Sequence, residues 1–263
     1  MQCAHRVARA EIIDMQWDNP DAMRKEPISA PVARQLAATG SRLFRWRSYM
    51  PLVLLPLFLL TVTTTSTPTS YRWEVSCFAI ALLGLLLRVF VIGTAPEGTS
   101  ARGTRQPSAD TLATTGAYSI VRHPLYLANT VIAAGCALLS GTWFLPVIVV
   151  LLSFIYHERI AAREEAFLRD TFGSQFEGWA REVPAMIPRV GRYQRPGGHF
   201  RIRKVFVQEC HGLFAIGAAF FVLDTLEDSI RARMFQIDQR WLTVFAVTAV
   251  PFLIVVLWKK WRH

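Results

Sequence analysis

Cysteine is scarce in this sequence: Cys3, Cys77, Cys136 and Cys210 are all there is. They form no CxxC pair and join no His/Cys cluster at metal-ligand spacing, so neither a disulfide framework nor a metal site is expected. Three of them lie in apolar stretches, where a free cysteine acts as a small hydrophobe. A GxGxxG run is also missing, and with it the fingerprint of a Rossmann dinucleotide site. There is no internal repeat and no low-complexity tract. The first 25 residues are mixed in charge and lack the apolar core of a signal peptide, so no cleaved targeting segment is expected. Acidic residues are the minority, 19 Asp and Glu against 29 Lys and Arg, for a formal net charge of +10.

What the sequence has in quantity is apolar residue types, 52% of 263 positions, gathered into runs. A hydrocarbon core of about 30 Å takes roughly 20 apolar residues in a helix. Six spans approach that length: Tyr49 to Thr65, Val75 to Ala95, Leu125 to Ser140, Thr142 to Tyr156, Val205 to Leu223 and Trp241 to Trp258. The third and fourth are short, roughly 24 Å each at helical rise, and only Gly141 separates them, which predicts a helical hairpin. The fold expected is an all-α polytopic membrane bundle of about six transmembrane helices, with a cytoplasmic helix-loop segment between His157 and Lys204. Placing the amino terminus inside puts 24 of the 29 basic residues on the inner side; Arg72, Arg231, Arg233 and Arg240 fall outside and Arg88 within a span. The excess of basic residues on one side predicts cytoplasmic termini in an inner membrane. It also assigns the positive charge to headgroups rather than to nucleic acid, which is not expected as a partner. Three parts follow: a cytoplasmic segment 1–48, a membrane core 49–204 and a carboxy-terminal helix pair 205–263.

The most informative stretch is GAYSIVRHPLYLAN, Gly116 to Asn129. Pro124 after His123 suits the first position of a helix, and a helix amino terminus with Arg122 beside it is an anion site, fit for an amino-acid carboxylate. The second stretch is Glu164-Glu165, on a helix that continues the fourth span. Glu158 lies seven residues before Glu165, on the same face. Paired carboxylates there can accept hydrogen bonds from a ribose diol or favour a sulfonium, helped by the aromatic face of Tyr126 or Trp179. Each feature alone has a plainer reading, as topology-setting charge, a solvated helix face or an interfacial anchor. Arg88 could pair with an acidic partner, but is expected rather to snorkel toward the inner surface.

Taken in order, RHPLY, a short hairpin, REEAFL, then FG, a Trp, VP and IP resemble the isoprenylcysteine carboxyl methyltransferase and phospholipid methyltransferase superfamily of integral membrane enzymes. The resemblance spans residues 116–189, with one departure: Ala128 stands where similar members often carry Gly. It implies S-adenosyl-L-methionine as cofactor, bound without a Rossmann domain. It also implies that Tyr118, Arg122, His123, Pro124, Tyr126, Glu164 and Glu165 line the cofactor site, with Trp179 beside it and the VPAMIP stretch, including Pro184, Ile187 and Pro188, closing over the adenosine.

The catalytic candidates are Arg122, for charge, and Glu165, Glu209 and His211, any of which could deprotonate an amine acceptor. Glu209 and His211 stand near the inner end of the fifth span, where ionisable groups are functional candidates. The substrate expected is a lipid-like or small hydrophobic acceptor entering from the bilayer among membrane lipids. A carboxylate, amine, hydroxyl or thiol acceptor all remain open, as does the oligomeric state. Two other readings stand beside this one. A nicotinamide-dependent reductase of isoprenoid or sterol-type double bonds would not bind S-adenosylmethionine. A non-enzymatic membrane scaffold would tolerate loss of His123, Glu164 or Glu165.

Overall fold

The structure, a computed structural model, describes residues 50–64, 70–96, 98–99 and 110–261; the segment 1–48 expected to precede the membrane core lies outside them. The α-helices within these residues are α1 (Met50–Thr64), α2 (Tyr71–Thr94), α3 (Pro124–Leu138), α4 (Phe144–Phe172), α5 (Ser174–Glu182), α6 (Ile202–Ala232) and α7 (Gln239–Lys260). No strand occurs among the described residues, so the chain is an all-α membrane bundle. Four of these helices, α2, α4, α6 and α7, are long and apolar enough to cross a bilayer, and α1 and α3 are shorter apolar helices.

Local sequence explains the boundaries. Ser70 caps α2, its Oγ accepting from the Trp73 N–H at 3.4 Å, and Glu74 sits in the first turn, where a negative charge meets the positive end of the helix dipole. Helix α2 therefore starts four residues before its apolar run. The hairpin between α3 and α4 turns at Gly141, whose φ of +69° a side chain would strain. Ser140 Oγ ties that turn down, donating to the Ala137 carbonyl at 2.8 Å and meeting Thr142 Oγ1 at 2.9 Å. Helix α4 is apolar through Tyr156, then carries eight charged or histidine side chains before it ends at Phe172. At about 1.5 Å per residue its 29 residues run some 44 Å, so the charged half projects beyond the bilayer.

Helix α2 is the hub, packed against α3 and α6, while α6 also packs against α7 and α1. Helices α2 and α3 approach closely. A Cβ added at Gly84 would stand 2.8 Å from both the Ala128 carbonyl oxygen and the Ile132 nitrogen. The room that a glycine at position 128 would have given is thus made from the other helix, and Ala128 itself is fully buried. Small residues at such contacts let membrane helices close on each other, where van der Waals packing has to replace the hydrophobic effect. The core between the helices holds Phe58, Val62, Cys77, Ala81, Leu85 and Phe220. Phe78 meets Phe220 and Trp241 edge-on, at 5.1 and 5.4 Å between centroids. Leu86, Leu151 and Leu253 point outward, as lipid-facing side chains of a membrane bundle do.

Arg88 does not snorkel. Its Nε and Nη2 donate to the two oxygens of Glu209 at 2.8 and 2.9 Å, and Nη1 donates to Asn129 Oδ1 at 2.6 Å. Glu209 is buried, so the charge that would have reached for the surface finds its partner inside and ties α2, α3 and α6 together.

Candidate functional site

At one end of the bundle the chain between α2 and α3 meets the chain between α5 and α6. The Arg122 N–H donates to the Pro184 carbonyl at 2.9 Å, His123 N–H to Ala185 at 3.2 Å, and Arg189 N–H returns to Ile120 at 2.9 Å. Further along, Gly116 N–H donates to Gln194 at 2.9 Å and Gln194 N–H to Ser119 Oγ at 2.9 Å. Trp179 Nε1 donates to the Tyr118 carbonyl at 3.1 Å, and Arg122 Nη1 to the Ala180 carbonyl at 2.6 Å. The segment 183–194 is therefore fixed along 116–123 by backbone pairing. Pro184 and Pro188 set φ while their carbonyls stay available.

Under this clamp the charged half of α4 presents its carboxylates. Glu165 Oε1 lies 3.0 Å from His123 Nε2 and 2.9 Å from Arg122 Nε. Glu164 Oε2 lies 3.7 Å from His123 Nδ1. His123 is thus held between two acids, itself buried at the N-cap of α3 with Pro124 following in the first turn. The Arg122 Nε contact is one of charge without hydrogen-bond alignment, and its N–H is buried without a partner. Burial, with the Glu164 charge nearby, pushes the Tyr118 phenol above its ordinary value, so it remains a neutral donor at all ordinary pH.

Beside the carboxylates stands a stack of rings. His123 and Tyr126 lie parallel with centroids 5.4 Å apart, and Tyr126 and His157 at 4.8 Å. His157 also meets Thr130 Oγ1 at 3.4 Å. The sequence reading missed His157 and put Glu158 on the site face instead. In the structure Glu158 is exposed and His157 buried. The spacing held the signal: 157, 161 and 165 fall four apart, which keeps one face of a helix.

The structure brings Tyr118, Arg122, His123, Pro124, Tyr126, Glu164, Glu165, Trp179 and Pro184 to this one end. Ile187 lies in the same clamp with its side chain 76% exposed. Glu209 sits apart, on α6 with both oxygens on Arg88. His211 turns toward α7, edge-on to Phe252 at 5.3 Å and with Nδ1 3.2 Å from Cys210 Sγ. Chemically, the assembled end offers a buried, unsatisfied guanidinium N–H for an anion, carboxylates for hydroxyl or amine donors, and an aromatic stack for a cation.

Comparison with known proteins adds to this geometry. Residues 75–175 match the family described as phospholipid methyltransferase, a stretch that holds the paired carboxylates and the His123 turn but neither the 183–194 segment nor α6 and α7. The chain is 27% identical over 167 residues to the nickel-cobalt-cadmium resistance protein NccN of Alcaligenes xylosoxydans, covering 64% of this chain and 74% of that one. It is 31% identical to the cobalt-zinc-cadmium resistance protein CzcN of Cupriavidus metallidurans over 32% of this chain and 39% of that one. Against protein-S-isoprenylcysteine O-methyltransferase of Schizosaccharomyces pombe it is 28% identical over 45% of this chain and 50% of the yeast protein. The alignments with CzcN and the yeast enzyme thus reach half or less of those proteins. No solved structure matches the chain.

Proposed function

We propose that this chain, a membrane protein similar in part to phospholipid and isoprenylcysteine methyltransferases, transfers a methyl group from S-adenosyl-L-methionine to a lipid-like acceptor at the cytoplasmic face of an inner membrane, with both termini cytoplasmic. The observation that carries the reading is the end of the bundle where Arg122, His123, Glu164 and Glu165 converge under the 183–194 clamp.

The residues fit the cofactor. The unsatisfied Arg122 N–H beside the α3 amino terminus suits the amino-acid carboxylate. The Tyr126 ring, between those of His123 and His157, suits a sulfonium. Glu164, part-exposed, suits the ribose diol. Bound there, the cofactor would supply an electrophilic methyl group. The chain's own work is then alignment and exclusion of water, through a clamp fixed by backbone hydrogen bonds. Glu165, held by Arg122 and His123, orients both side chains, and an amine acceptor would lose its proton to a carboxylate of this group. The acceptor enters laterally between apolar helices, so a phospholipid amine, a lipid carboxylate or hydroxyl, and a thiol are all chemically admissible.

The test is calorimetric titration of the detergent-purified protein with S-adenosylmethionine, beside Glu165→Ala and His123→Ala. Saturable binding by the wild type, lost in both variants, supports the reading. A folded wild type that ignores S-adenosylmethionine but binds NADPH would replace it with the reductase reading. The similarity to NccN, reaching over more of this chain than the methyltransferase matches do, favours a second, compatible role in tolerance of divalent transition metals. Growth of a deletion strain on nickel, cobalt and cadmium tests that role; unchanged tolerance would remove it.

A further inference from the structure

The opposite end of the bundle holds a group of acids that methyl transfer does not use. Glu74 in the first turn of α2, Asp224 two turns before the end of α6 and Asp238 at the cap of α7 each direct a carboxylate oxygen to one place, all within 4.8 Å of one another. Two oxygens bound to one cation at 2.3–2.6 Å stand at most about 5 Å apart, so this spread closes on a single ion. Glu74 and Asp224 are each 6% exposed. Asp224 Oδ2 is buried without any hydrogen-bond partner, an arrangement that costs free energy unless something binds there.

Further charged side chains surround the group. Asp238 is held by Arg240, through Nε at 2.9 and 3.0 Å and through Nη2, while Arg240 also lies over the Tyr71 ring at 4.5 Å. Glu227 is paired with Arg231 at 3.0 Å, so that couple is neutral in itself. Asp228 adds a further half-buried acid nearby. Trp241 Nε1 donates to Glu74 Oε2 at 3.1 Å and contributes no charge. Three carboxylates meet at this end, with Arg240 the guanidinium on Asp238, a carboxylate-rich donor set of the kind that takes a divalent cation. The donors are all oxygen, the set preferred by Mn²⁺, Mg²⁺ and Ca²⁺ over softer ions.

We infer that Glu74, Asp224 and Asp238 form a binding site for an oxygen-preferring divalent cation, which ties the far ends of α2, α6 and α7 together. No local motif announces it, since the ligands come from positions 150 and 14 residues apart and the metal-site expectation rested on Cys and His spacing. The inference is independent of the methyl-transfer reading and stands or falls without it.

The experiment is Mn²⁺ titration of the full chain in detergent, following free Mn²⁺ by electron paramagnetic resonance, with thermal unfolding of the same samples. One saturable Mn²⁺ per chain is expected, displaced by Ca²⁺, with a rise in the wild-type midpoint. Glu74→Gln and Asp224→Asn should each weaken binding by about tenfold or more, the scale at which metal sites respond to loss of even supporting groups. Asp228→Asn should leave it nearly unchanged. Absence of saturable binding by folded wild type overturns the inference, as does equal binding by Glu74→Gln and Asp224→Asn. So does an Asp224→Asn protein that is more stable than a wild type indifferent to Mn²⁺, which would mean a carboxyl kept neutral by its own proton. If Asp224→Asn fails to fold, Glu74→Gln and the wild-type midpoint decide.

Discussion

Where α3 begins, Arg122 and His123 share one oxygen of Glu165, and Glu164 stands on the far side of the same imidazole. Where α6 finishes, Glu74, Asp224 and Asp238 face one another with Arg240 as the cation on Asp238. The first end matches cation to anion and fastens the loops carrying them by backbone hydrogen bonds. The second gathers carboxylates on three helix ends, joined among the described residues by side-chain contacts such as Trp241 Nε1 on Glu74 rather than by paired backbone. A ligand at the first end must exchange contacts with groups already satisfied, leaving Arg122 Nε as the opening. A cation at the second end would add a positive charge among carboxylates and meet the unpartnered Asp224 Oδ2. On the proposed readings, one end takes a zwitterion with a cationic centre and the other a bare cation.

The comparison breaks most completely at the pair that joins the first end to the rest of the bundle. Arg88→Ala leaves Glu209 buried at 4% exposure with neither of its guanidinium contacts. Removing one member of a buried pair costs about 3–5 kcal/mol. A large drop in the thermal midpoint in detergent is expected, with Asn129 losing its donor as well. Arg88→Met combined with Glu209→Met should recover most of the loss, because two apolar side chains suit the interior better than a buried carboxylate that has lost its guanidinium. A single variant as stable as wild type would show that Glu209 is solvated and available as a base.

The two ends separate next in their response to ligand. Glu165→Ala removes the hydrogen-bond partner of His123 Nε2 and the carboxylate charge beside Arg122, and a hydrogen bond to a charged group contributes about 1.5–3 kcal/mol. S-adenosylmethionine affinity should fall roughly ten- to a hundredfold by calorimetry. Glu74→Gln, at the other end of a 24-residue helix, should leave it unchanged. Equal losses would mean that the ends are coupled through α2 and that the contrast between them is only spatial.

How much of this was legible depended on distance along the chain. The six apolar runs became six helices because a run of that length can satisfy its backbone only as a helix in hydrocarbon. Their ends were not legible from hydropathy. Helix α6 continues nine residues past the expected Leu223 because Asp224 and Glu227 turn inward rather than to solvent. The charged block was legible as motifs, since Arg122-His123 and Glu164-Glu165 are local signals on two elements joined by a tight hairpin. The partner of Arg88 was not, because Glu209 lies 121 residues away and nothing local names it. His157 was lost to a one-residue error of phase, which on a helix turns the face by about 100°.

Gly84 sharpens the comparison from the packing side. Its Cβ position is 2.8 Å from backbone of α3, which has no side chain to swing aside. Gly84→Val should separate α2 from α3, costing about 1–3 kcal/mol as overpacked sites do. Because α3 carries His123 and Tyr126 at its first turn, cofactor affinity should weaken with stability. Mn²⁺ binding at the far end, which uses no residue of α3, should persist in whatever fraction stays folded. Loss of both in step would make the helix pair a support for the whole molecule.

The smallest effect is expected at the corner between α4 and α5. Arg169 Nε donates to Glu177 at 2.5 Å and the guanidinium lies 5.4 Å from the Phe176 ring centroid, yet the paired side chains are 51% and 42% exposed. Exposed pairs contribute about 0.2–1 kcal/mol and are screened by salt. Arg169→Ala should therefore lower the midpoint slightly at low ionic strength and not measurably at high. The corner itself is held by the Gly173 N–H on the Arg169 carbonyl, which the substitution keeps, and by Phe176, which is fully buried. Cofactor affinity should change less than about fivefold, in line with so small an energy. A larger, salt-resistant loss would show that Arg169 acts on Glu165, one turn before it on the same helix, and that the charge balance of the first end extends farther along α4 than Arg122 and His123.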